Sequence, residues 1–63
     1  MKKMIYTVFI KNTDQKGRVI IIEDMSSYDI YEIQERMRKL EQIKRIGDFN
    51  WEISMGEEEM EEQ

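Results

Sequence analysis

Two runs rich in Ile, Val, Tyr, Phe and Thr, residues 4–11 and 18–23, flank the short polar stretch 12–17. That pattern commits the first third of the chain to a β-hairpin. Asp14 suits the first position of a type I turn, and Gly17 can supply the positive φ of the bulge that follows it. Pairing Asp14 with Arg18 then sets Ile10 opposite Ile22 and Val8 opposite Asp24. One sheet face carries Tyr6, Val8, Ile10, Ile20 and Ile22. The other carries Ile5, Thr7, Phe9, Lys11, Val19, Ile21 and Glu23, so both faces are partly apolar.

The hairpin needs a cover, and the next segment supplies a helix. Ser26 is placed as its N-cap, Asp29 stands at the capping-box position, Met25 can staple onto Ile30, and Gly47 supplies the stop. Ile30, Ile33, Met37 and Leu40 recur at intervals of three and four, within an arc of about 80° at roughly 100° per residue. Lys44 falls on the same stripe and is expected to snorkel, while Ile46 and Phe49 are expected to pack around the cap. Residues 50–55 alternate, giving Trp51, Ile53 and Met55 to one face and Asn50, Glu52 and Ser54 to water. A crossover through the helix lays this third strand beside the first.

The expected fold is therefore α+β: a ββαβ domain over residues 1–55, with a three-stranded antiparallel sheet in the order 2-1-3. One long amphipathic helix covers one face. The expected core is Tyr6, Val8, Ile10, Ile20, Ile22, Ile30, Ile33, Met37, Leu40, Trp51 and Ile53.

Residues 56–63 hold five of the fourteen acidic side chains and no basic one, so the net charge of −4 resides there. With so little apolar content this segment reads as a flexible Glu-rich tail. The remaining 55 residues carry ten basic and nine acidic groups, and the low pI says little about the folded surface.

At 63 residues without cysteine, the chain has no disulfide to compensate for a small core. Self-association is the expected substitute. The charged start and the short apolar run up to Ile10 imitate a signal peptide, but no small-residue cleavage site follows, and no segment approaches the ~20 apolar residues of a membrane span. A cytoplasmic protein with no membrane partner is expected.

Histidine is absent, so no Ser-His-Asp or Cys-His arrangement can be assembled, and no thiolate or imidazole is offered to a metal. Glu32 with Glu35, and Glu23 with Asp24, are acid–base pairs by type alone. They read better as solvated charges, with Glu32 reaching Arg36, Glu35 reaching Lys39 and Glu41 reaching Arg45 at i+4. The three glycines are too dispersed for a phosphate loop. No catalytic residue, cofactor or metal ligand is expected, and no motif of a known family stands in the sequence.

Three features point to binding. Ile5, Phe9, Val19 and Ile21 form an apolar set on the uncovered sheet face, suited to self-association. Tyr31, Arg38 and Arg45, spaced by seven, form a stripe opposite the apolar side of the helix. Glu57, Glu58 and Glu59 open the acidic segment, which can imitate a run of phosphates toward a basic groove or shield the basic helix. Together they suggest a non-enzymatic protein-binding module, a homodimer that docks on a larger protein as an inhibitor or accessory factor. The alternative is a small nucleic-acid-binding regulator that uses the basic C-terminal half of the helix.

Overall fold

The computed structural model describes residues 2–61. Four elements follow one another: β1 (Lys2–Thr13), β2 (Val19–Ser27), α1 (Ile30–Gly47) and β3 (Trp51–Glu61). The strands form one antiparallel sheet in the order β2-β1-β3, as the hairpin and the alternating third strand imply.

The turn has the expected geometry. The Gly17 amide donates to the Asp14 carbonyl at 3.0 Å, Gly17 has φ of +81°, and the Asp14 amide donates to the Arg18 carbonyl at 2.9 Å. Asp14 Oδ1 also accepts from the amides of Lys16 and Arg18, and the Arg18 guanidinium closes on Oδ2 at 2.9 Å. The Arg18 amide holds the Asp14 carboxyl below the usual carboxylate range against desolvation, with help from the Arg18 guanidinium and the Lys16 amide.

From this turn Ile10 pairs with Ile22, but a bulge leaves Asp24 without a partner on β1, so Val8 faces Met25 instead of Asp24. Rows across the sheet follow directly. On the helix side they run Ile20, Asn12, Trp51; then Ile22, Ile10, Ile53; then Met25, Val8, Met55. On the other side they run Ile21, Lys11, Glu52; then Glu23, Phe9, Ser54; then Ser26, Thr7, Gly56.

Val8, Ile10, Ile33 and Leu40 are buried, and Tyr6, Met25, Met37, Trp51, Ile53 and Met55 pack around them. The helix starts beside the end of β2 and delivers the chain to the start of β3, touching all three strands. It therefore crosses the sheet on a diagonal, and the β2 corner next to the hairpin turn lies outside its cover. Ile20 and Ile22, expected in the core, are accordingly 53% and 51% exposed.

Three local expectations are corrected. Ser26 is not the N-cap, because β2 runs on through Ser27, with Ser26 paired to Thr7 in the ladder and joined to it through their hydroxyls at 3.0 Å. Asp29 caps instead, its Oδ1 accepting from the Tyr31 amide at 2.9 Å. At the other end the left-handed residue is Asp48, with φ of 53°. Phe49 donates back to the Lys44 carbonyl and Asp48 to that of Arg45, which is a Schellman closure. Gly47 is required for space: a β-carbon there would run into the Phe49 ring, which stacks on Trp51 at 4.6 Å. Ile46 does not pack around the cap and is 87% exposed.

The largest correction concerns the acidic segment. Residues 56–61 are not a flexible tail: they continue β3, with Gly56 opposite Thr7 and Glu61 opposite Lys2. Residues 62–63 lie outside the described part. The physical reason is β1 itself. Because β2 ends opposite Tyr6, main-chain groups along residues 2–5 would otherwise lack a strand, and the Glu-rich chain supplies one. Cross-strand charge assists, with Lys2 Nζ 3.3 Å from Glu59 and Lys11 Nζ 3.7 Å from Glu52. Phe9 lays its ring over Gly56, where a β-carbon would meet it at 2.7 Å. The result is a thin, elongated body of 45 × 23 × 10 Å with a two-stranded arm beyond β2.

Candidate functional site

The sheet has two open edges, and their chemistry is opposite. Glu52, Glu57, Glu58, Glu59 and Glu61 line β3, all exposed. Charged side chains are the usual means by which an edge strand avoids pairing with another chain. Along β2 the four consecutive residues Val19, Ile20, Ile21 and Ile22 are 51–64% exposed, with no charge among them.

Main-chain polarity on β2 follows from the turn. Since the Arg18 carbonyl accepts from Asp14, Arg18, Ile20 and Ile22 direct their N–H and C=O groups toward β1. Val19, Ile21 and Glu23 direct theirs outward. This stretch is bounded on one side by the Gly17 turn and on the other by the Asp24 bulge. It is a short straight edge with apolar side chains on both faces.

The bulge aims Asp24 at the helix, where Arg36 donates to both carboxylate oxygens, Nε to Oδ2 at 2.7 Å and Nη2 to Oδ1 at 3.0 Å. Those hydrogen bonds, together with the guanidinium charge, hold the Asp24 carboxyl below its usual range despite partial burial. Arg36 is thereby taken from Glu32, whose carboxylate accepts from the Ser27 hydroxyl at 2.8 Å. The expected i+4 pairs of Glu35 with Lys39 and Glu41 with Arg45 are not among the ion pairs seen in the described residues. Met25, Glu32, Glu35, Arg36 and Lys39 line a shallow groove beside this pair.

The self-association set divides. Val19 and Ile21 sit on the open edge, whereas Ile5 and Phe9 are half-buried on the central strand. Around Phe9 stand Glu23, Ser54 and Gly56, and the rows on either side contribute Lys11, Glu52, Thr7 and Ser26. Tyr31, Arg38 and Arg45 are all exposed on the helix, Tyr31 at 77%. Glu57, Glu58 and Glu59 stand on the β3 arm, anchored by β1, so they are not free to fold back over the basic helix. No family model, curated protein or solved structure matches the chain.

Ile20 and Ile22 belong to this edge, although the turn-set register gives them to the helix side of the sheet. The available signal was the unbroken apolar run 19–22, since a strand with one wet face alternates and a strand that needs cover on both sides does not. No helix among the described residues is long and apolar enough to cross a membrane.

Proposed function

We propose that this chain is a non-enzymatic, cytoplasmic protein-binding module that works as a homodimer and docks on a larger protein as an inhibitor or accessory factor. The contrast between its two sheet edges carries this reading. An apolar edge strand open to water is a template for another polypeptide, and monomers rarely leave such a surface uncovered. The acidic arm supports the docking half: Glu57, Glu58, Glu59 and Glu61 stand on a paired strand, so a basic groove on a partner meets carboxylates already held in place. A sequence without histidine or cysteine favours binding over catalysis, and the absence of cysteine suits a reducing compartment.

The test is retention of partners by the tagged protein in source-cell lysate, with and without nuclease. A near-stoichiometric protein that survives nuclease, and is lost from a Glu57→Lys, Glu59→Lys double variant, is the expected result. Recovery of nucleic acid alone, abolished by Arg38→Ala with Arg45→Ala, would overturn the reading in favour of a nucleic-acid regulator.

A further inference from the structure

Resting on the protein-binding reading, we propose that the β2 edge is the self-association surface and that its occupant is the β2 edge of a second copy, joined antiparallel into a continuous six-stranded sheet. The straight segment of β2 between the Gly17 turn and the Asp24 bulge directs three residues outward, Val19, Ile21 and Glu23. Ile21 is the middle one. A two-fold axis through Ile21 is the register in which every outward group of that segment finds a partner: Ile21 opposite Ile21 of the second copy, and Val19 opposite Glu23. Each such pair exchanges two main-chain hydrogen bonds. Ile20 and Ile22 then meet across the axis and cover one another on the helix side.

Charge points to the same occupant. Lys16 and Arg18 stand at the turn end of this segment, and Glu23 stands at its other end. Antiparallel pairing of identical strands therefore brings the basic end of each toward Glu23 of the other, whereas parallel pairing in register sets like against like. The β3 edges cannot pair in this way, because Glu57, Glu58, Glu59 and Glu61 would face the same run. Face-to-face packing through Phe9 would bury Lys11, Glu23 and Glu52, which flank it. In the six-stranded sheet the two acidic β3 edges lie at the outer margins, about 24 Å apart at the usual strand spacing.

Sedimentation equilibrium of the purified chain tests this, at up to about 0.1 mM, where a micromolar dimer is saturated. A mass of twice 7.7 kDa is expected, falling to the single-chain mass in Ile21→Lys with the circular dichroism spectrum retained. Ile46→Lys, which changes a still more exposed residue away from the edge, is expected to leave the dimer intact. Because the chain has no cysteine, Ile21→Cys reads the register: it is expected to cross-link to itself on mild oxidation, and Glu23→Cys, well off the axis, is not. A monomeric wild type, a dimer that survives Ile21→Lys, or equal cross-linking of the two cysteine variants would each overturn the proposal. A monomeric wild type that still retains a nuclease-resistant protein partner would overturn self-pairing and leave the docking half of the functional reading standing.

Discussion

At the scale of single residues, the Asp24 and Arg36 pair ties the bulge of β2 to the middle of α1. Its contribution depends on pH with a definite sign. The folded-state carboxyl is held below its unfolded value, so the stabilisation is complete above the unfolded carboxylate range, near pH 4, and is lost as pH falls through the folded value. Arg36 is more than a third exposed, and after allowance for solvent screening Asp24→Asn is expected to cost about 1 kcal/mol at pH 7. The check is urea unfolding of both proteins at neutral and acid pH: the gap between them closes on acidification. Sequence spacing pointed Arg36 at Glu32 because i+4 neighbours are fixed by helix geometry. Its actual partner depends on a one-residue bulge in another element, and no spacing rule carries that information.

At the scale of elements, the hairpin turn, the Ile33 and Leu40 stripe and the alternation of Trp51, Ile53 and Met55 were legible, because each follows from a local period or a turn residue. The helix start was misread by three residues, since Ser26, Ser27 and Asp29 all have capping chemistry and only the extent of β2 selects among them. Asp29→Ala is expected to cost about 1 kcal/mol, read by thermal unfolding, and Ser26→Ala less than that. Residues 56–61 were illegible as a strand because their stabilisation comes from the β1 ladder and from Lys2, far away in sequence. Removing residues 56–63 is accordingly expected to cost about 2 kcal/mol or more, lowering the thermal midpoint by about 10 °C. An unchanged midpoint would restore the flexible-tail reading.

At the scale of the whole molecule, one diagonal helix in a body 45 Å long leaves a corner of the sheet it cannot cover, and that corner carries the longest exposed apolar run among the described residues. The candidate binding surface was half legible: Val19 and Ile21 were singled out from sidedness, while Ile20 and Ile22 were assigned to a core that the helix does not reach. Phe9, named with them, lies against Gly56 on the neighbouring strand. In solution the β2 edge is therefore expected to be covered by polypeptide. Residue-resolved amide hydrogen exchange of the purified chain measures this directly. The outward amides of Val19, Ile21 and Glu23 are expected to exchange at least about tenfold more slowly than the outward amides of β3, with protection that rises with protein concentration. Exchange on β2 as fast as on the acidic edge, and independent of concentration, would contradict it.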